Sequence, residues 1–269
     1  MACMPERKKN MVTKNDLTFT RGEKLYEGKA NNIYSVLTPN SSDGSINISR
    51  TLLELESTDR ISAGNGEKRD VIEGKGVVNN TISTLLFKLF EEKGVPTHYV
   101  CEGSNESSKI VTKANMIKLE VIGRFIAAGS CCKRYGIEQG TEFHNMTYEL
   151  SYKCDELGDP FVSPTVATYG LHVVRYIEDL DLIQKYTYTV GHVAKRFFEK
   201  MGLRLVDFKV EYGYSLASGN IILCDEFSPD TCRLWDSNGK SLDKDVFRKN
   251  LGNVQETYAD ILQIIKNHK

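Results

Sequence analysis

Apolar and polar positions alternate in short runs along much of this chain, interrupted by stretches of helical spacing. The clearest alternation is Leu205–Tyr212, LVDFKVEY. It puts Asp207, Lys209 and Glu211 on one face of a strand and Phe208 and Val210 on the other. A second apolar run, Asn220–Cys224, follows after polar and glycine-containing residues, which is the pattern of a hairpin. That run delivers Asp225 and Glu226 at its end, and a loop with a proline follows, ending in Arg233.

Upstream, Lys24–Val36 (KLYEGKANNIYSV) predicts two strands flanking a bend at Gly28-Lys29. Ser45–Ser57 reads as a strand pair or a strand with a turn, and Thr58–Gly76 as loop. Asn79 or Asn80 is placed to cap a helix carrying Ile82, Leu85, Leu86, Leu89 and Phe90, stopped by Gly94 and Pro96. Strands are predicted at Thr97–Cys101, Ile110–Lys113 and Met116–Ile122. Downstream, Gly136–Tyr148 is read as irregular with a partly extended end, and Leu150–Lys153 as a short strand. Asp181–Met201 carries a broad apolar stripe, and Ser241–Lys266 becomes helical. The chain divides into a flexible lead-in (1–15), a sheet-rich lobe (16–119) and a mixed lobe (120–269).

Composition narrows the picture. The 269 residues carry a net charge of -1, with no basic excess to attract a nucleic-acid backbone. Apolar runs are too short to span a bilayer, and the first twenty residues lack the apolar core of a secretory signal. Seven scattered cysteines suggest neither a zinc site nor a disulfide framework, so a reducing, cytoplasmic setting is expected.

The chemistry lies in the charges. Carboxylates gathered by the hairpin repel one another unless neutralised, and Mg2+ takes oxygen ligands together with substrate phosphates. Glu211 and Asp225 are therefore candidate metal ligands, with a solvated hairpin as the alternative. Arg233 is a candidate fork-shaped anion clamp. Gly28 lets backbone approach a ligand, and Lys29 beside it is available to phosphate, although an ordinary turn explains both. Arg124, costly in an apolar strand without an anion, and Ser130 read as phosphate binders, or as a surface arginine and a helix cap. Arg248 points to a phosphate or is an exposed helix arginine. No Ser–His–Asp or Cys–His arrangement stands out.

The ordered set LYEGKANNIY, GKGVVNN, EVIGRFIAAGS, LVDFKVEYG, LCDEFSPDTCRLWD and LDKDVFRKNLG resembles the SAICAR synthetase family, from about Leu25 to the final helix. The resemblance implies an α+β, two-lobed fold with a beta-rich nucleotide-binding lobe and a mixed alpha/beta lobe. It implies an enzyme that uses ATP and Mg2+ to join L-aspartate to carboxyaminoimidazole ribonucleotide. Lys29 would contact ATP phosphates from the Gly28 loop. Lys113, Met116 and Leu119 would hold the adenosine, and Glu120 its sugar. Glu211 and Asp225 would organise Mg2+. Arg124, Ser130, Arg233 and Arg248 would hold the ribonucleotide phosphate, with Asp207 and Lys209 near the carboxylate or the incoming aspartate. The family commonly has Lys or Arg where this chain has Asn31, and proline where it has Lys118. A small-molecule kinase and a non-catalytic nucleotide-binding regulator are the competing readings. Assembly is open, with a homodimer among the alternatives.

Overall fold

A computed structural model describes residues 11–14, 17–39, 45–63, 68–249 and 251–266. The first lobe is a meander in which β1 (Met11–Lys14), β2 (Leu17–Glu27), β3 (Asn31–Pro39) and β4 (Ile46–Ser57) pair in sequence. A ribbon of β5 (Arg60–Ala63) and β6 (Lys68–Val71) follows, then α1 (Lys75–Glu92), β7 (Tyr99–Glu102) and β8 (Ser108–Thr112). The sheet order is β1-β2-β3-β4-β8-β7, antiparallel throughout.

Next come β9 (Ala114–Met116), β10 (Leu119–Ile126), α2 (Ser130–Tyr135), β11 (Glu142–Tyr152) and α3 (Glu178–Glu199). The chain ends with β12 (Arg204–Ser215), β13 (Ile221–Cys224), β14 (Cys232–Trp235), α4 (Asp245–Lys249) and α5 (Val254–Lys266). β12 is the hub. Its first half pairs with β10 and β14, and its second half with β13 and β9. Arg124 of β10 stands opposite Asp207, and Asp207 stands opposite Arg233 of β14. Three neighbouring strands thus line up Arg, Asp and Arg in one row, and residues opposite one another on antiparallel strands share a face.

The main core lies between this second sheet and the helices. Val78, Ile82, Leu86 and Phe90 recur every fourth residue on α1 and are fully buried. Leu180, Ile183, Val190, Ala194 and Phe198, spaced three, seven or four residues apart, form the buried stripe of α3. Each such apolar side chain contributes about 1.5–3 kcal/mol relative to exposure. The chain leaves α1 through Gly94, whose φ of 81 suits a residue without Cβ.

Several local expectations change. Residues 1–10 and 15 lie outside the described residues, but Met11–Lys14, expected to be flexible, pairs with β2 as β1. Ser45–Ser57 is no strand pair, because Ile46–Ser57 is one strand held on both sides, by β3 and β8. The extended end expected at 142–148 and the short strand expected at 150–153 are one strand, β11, paired with β10, while 136–141 stays irregular. Part of the expected 58–76 loop is the β5–β6 ribbon. Asn79 and Asn80 do not cap α1 but lie buried inside it, because the helix starts after Gly74. The C-terminal helix is two, α4 and α5.

Candidate active site

A cleft of about 970 Å³ is lined from both lobes, by the turn after β2, the segment between β8 and β10, one face of β12, the loop after β13, and α4. Most expected site residues line it: Gly28, Lys29, Lys113, Met116, Glu120, Arg124, Asp207, Lys209, Glu211, Asp225, Arg233 and Arg248. Two do not. Leu119 is 1% exposed and belongs to the core, because alternation along β10 turns it away from Glu120. Ser130 is exposed at the first turn of α2, where its Oγ accepts from Arg134 at 3.2 Å, and it is not part of the cleft wall.

The β2–β3 turn is braced from its own backbone and from the next strands. Gly28 N donates to Asn31 O at 2.8 Å, and a Cβ on Gly28 would come within 2.9 Å of that carbonyl. Thr58 Oγ1 and Arg60 Nη2 donate to the carbonyls of Ala30 and Gly28. Lys29 reaches across to Asp155 at 2.9 Å, an exposed pair. Asn31 donates to Glu226 at 3.2 Å, while its buried Oδ1 has no hydrogen-bond partner among the described residues.

Acids converge on a lysine in the middle of the cleft. Lys209 Nζ donates to Glu211 Oε1 at 2.7 Å and lies 3.4 Å from Glu120 and 3.5 Å from Asp225. Lys153, at the end of β11, donates to the other Glu211 oxygen at 2.5 Å. Burial opposes the charge on Glu211, but Lys209 and Lys153 outweigh it and hold its carboxyl below the usual value. Burial likewise opposes the charge on Lys209, and Glu211, Asp225 and Glu120 raise its pKa well above a normal lysine. Asp225 goes the other way: burial, then the charge of Glu211, push it up to about 6 despite Lys209. Its φ is 60, uncommon for a residue with a side chain and frequent at functional sites.

The other end of the cleft is arginine-rich but not empty of anions. Arg124, 3% exposed, donates from Nε to Glu149 at 2.8 Å and from Nη1 to Asp207. The anion that its burial demands is therefore supplied by the protein. Arg233 is not at a loop end but within β14. It donates from Nη1 to Asp207 at 2.7 Å and from Nε to Asp245 at 3.0 Å. Gly129, with φ +59, lies against it, and a Cβ there would stand 2.7 Å from Arg233 Nη2. Asp245 also accepts from Arg248 at 2.7 Å and pairs with Lys249 at 2.8 Å. Burial alone would raise Asp245, but these cations hold its carboxyl far below the usual range. The result is a lattice of guanidinium groups fixed by buried carboxylates, with the unused donors of Arg233 and Arg248 on the cleft wall.

Sequence reasoning does not single out Lys153 or Lys244. A lone lysine at a strand end or before a short helix carries no periodic signal, and only the pairing of β11 with β10 and the Asp245–Arg233 contact of α4 with β14 bring them to the cleft.

A β-rich lobe and a mixed lobe that share one charged cleft define a two-lobed enzyme of α+β build. The SAICAR synthetase family model matches residues 24–265, and the chain belongs to this family. The phosphoribosylaminoimidazole-succinocarboxamide synthase of Nautilia profundicola is 43% identical over 246 residues, covering 91% of this chain and 99% of that one. That of Finegoldia magna is 44% identical over 241 residues, covering 89% and 97%. Among solved structures, a SAICAR synthetase in complex with ADP matches with a TM-score of 0.78 at 37% identity, over 90% of this chain and 97% of that chain. The Ehrlichia chaffeensis phosphoribosylaminoimidazole-succinocarboxamide synthase matches with 0.79 at 36%, over 91% and 98%. The chain is thus an enzyme of the SAICAR synthetase family.

Proposed function

We propose that this enzyme uses ATP to ligate L-aspartate to the carboxylate of 5-amino-1-(5-phosphoribosyl)imidazole-4-carboxylate, giving SAICAR, ADP and phosphate in purine biosynthesis. The observation that carries this reading is the face of β12. Asp207, Lys209 and Glu211 line one cleft, with guanidinium groups at the Asp207 end and the Glu120–Asp225 acids at the Glu211 end. Membership of the family and the ADP-bound relative support nucleotide use.

In this reading the Gly28–Lys29 turn receives the ATP phosphates, and Lys113, Met116 and Glu120 receive the nucleoside. Arg233 and Arg248 take the ribonucleotide phosphate with the donors they have left over, while Arg124 acts mainly by fixing Asp207. Glu211 and Asp225 fit Mg2+ as hard oxygen donors. Such an ion would take its remaining ligands from phosphates and water. When bound, Mg2+ supplies charge neutralisation for the transferring phosphoryl group. Lys209 and Lys153 neutralise the same acids in the protein itself.

An unactivated carboxylate is a poor acyl donor because oxide is a poor leaving group. Transfer of the γ-phosphoryl group to the imidazole carboxylate gives an acyl phosphate. The neutral aspartate amine then attacks its carbonyl, and inorganic phosphate leaves. Lys209 would stabilise the charge that accumulates in both steps. No protein nucleophile is needed. We read the enzyme as cytoplasmic; among the described residues no cysteine is in a disulfide.

The test is a product assay with ATP, L-aspartate and the ribonucleotide, each omitted in turn. An amide product with stoichiometric phosphate release, dependent on all three, is expected. A stable phosphorylated product without aspartate would instead identify a kinase.

A further inference from the structure

Lys244 stands apart from the other cations around it. Arg124, Arg233 and Arg248 each donate to a carboxylate, and Lys209 and Lys153 share Glu211. Lys244 lines the same cleft as Arg248 and Thr231. Its ammonium makes no ion pair and no side-chain hydrogen bond among the described residues.

Two carboxylates are near enough for Lys244 to feel their charge, Asp230 and Glu226. Both are already committed. Asp230 accepts from Lys75 at 2.7 Å and from Tyr258 at 2.5 Å. Glu226 accepts from Ser228 at 2.6 Å and from Asn31 at 3.2 Å. Burial, and the charges of Arg248 and Lys75, hold the pKa of Lys244 below that of a free lysine, although Asp230 pulls it back. The backbone fixes the position of this lysine. Its N–H donates to Pro229 O at 3.2 Å, and its carbonyl accepts from Phe247 and Arg248 at the start of α4.

An ammonium has three donors and no acceptor, and leaving them unpaired in a half-buried place is costly. We infer that Lys244 is an anion-binding residue of the cleft, whose ammonium takes an oxygen of a phosphate or carboxylate carried by a substrate, beside Arg248. The ribonucleotide phosphate and the carboxylates of aspartate both offer this chemistry. Naming those two molecules rests on the ligase reading above; the anion site does not.

The full chain is compared with Lys244→Met, which removes the charge and keeps the apolar stem, and with Lys244→Arg, which restores it. Lys244→Gln is a second neutral variant should the methionine protein not fold, as judged by its thermal melt. In steady-state assays the neutral variant is expected to need about tenfold more of one anionic substrate, the scale of one charge-assisted hydrogen bond. The arginine variant should recover most of the loss. A KM rise for the ribonucleotide assigns the phosphate, and one for aspartate assigns the carboxylate. Unchanged KM values for both, or a rise confined to ATP, overturn the inference. Calorimetric titration with inorganic phosphate and with L-aspartate, without turnover, keeps this separate from the ligase reading. Binding of either that weakens in the neutral variant supports the anion site. Equal affinities in wild type and variant refute it, whatever reaction the enzyme performs.

Discussion

Asp207 and Arg233 stand opposite one another on β12 and β14, and Nη1 of the arginine donates to Oδ2 of the carboxylate at 2.7 Å. The same oxygen accepts from Arg124 on the other neighbouring strand. One buried carboxylate therefore aligns two guanidinium groups. Asp207→Ala would strand Arg124, which is 3% exposed and would keep only Glu149. Breaking a buried pair costs about 3–5 kcal/mol. A loss of that much unfolding free energy in urea titration is expected, together with lost turnover. An unfolding curve identical to wild type would show that the row does not hold the sheet as described.

A second carboxylate predicts an acid limit on stability. Glu56, on β4, accepts from Arg21 at 2.8 Å, Asn105 at 2.9 Å, Tyr34 at 2.9 Å and Asn32 at 3.3 Å. Burial opposes its charge, but these donors win and hold its pKa down at about 2, against an ordinary 4.5. The folded state therefore binds this proton less readily than the unfolded chain. The stabilisation is complete above about pH 4.5 and is lost as pH falls toward about 2. Glu56→Gln should melt earlier than wild type at pH 7, and the gap should narrow below pH 4.5. A gap that does not change with pH would remove Glu56 from the acid limit.

What the sequence made legible follows from how local each signal is. The β12–β13 hairpin is readable because alternation over Leu205–Tyr212 keeps one period, with charged side chains on one face and apolar ones on the other. Sequence pattern puts Arg233 at a loop end because Pro229 advertises a turn and CRLW is too short to show a period; pairing with β12 makes it a strand. Arg124 was rightly costly without an anion, but its anions, Asp207 and Glu149, come from strands 83 and 25 residues away. The start of α1 was hidden because Gly74 offers no side-chain cap, so the asparagines further on looked like the beginning. The family resemblance places Leu119 with its neighbours in the cleft, but the period of two that turns Glu120 to the cleft sends Leu119 into the core. Non-local pairing is what sequence pattern does not carry.

The proposed clamp role of Arg233 can be separated from its structural role through Gly129. Arg233→Ala should raise KM for the ribonucleotide at least tenfold, the scale of a lost charge-assisted hydrogen bond, with KM for ATP little changed. Gly129→Ala leaves the guanidinium in place chemically but puts a Cβ 2.7 Å from its Nη2, at a φ of +59 that disfavours alanine. It should shift the same KM in the same direction by less. Normal use of the ribonucleotide by both variants would reject the clamp.

Asp225 offers the sharpest test of the acidic end, because stability and activity should move apart. Its carboxyl is pushed up from 3.8 to about 6, first by burial and then by Glu211. With the folded pKa above the unfolded one, the folded state holds the proton more tightly. Its ionisation therefore costs stability, a cost that grows as pH rises from about 4 to about 6 and is complete above. Asp225→Asn removes that cost, so at pH 7.5 the variant should melt at or above the wild-type temperature, and its melting temperature should fall less between pH 4 and pH 6 than that of the wild type. If Asp225 holds Mg2+ with Glu211, the same variant should lose about a hundredfold or more in kcat, the scale seen when one preorganised electrostatic contact to a transition state is removed. It should also need more Mg2+ for half-maximal rate. Full turnover with wild-type Mg2+ dependence would take Asp225 out of the metal site, and a lower melting temperature at pH 7.5 would contradict the electrostatic account of its burial.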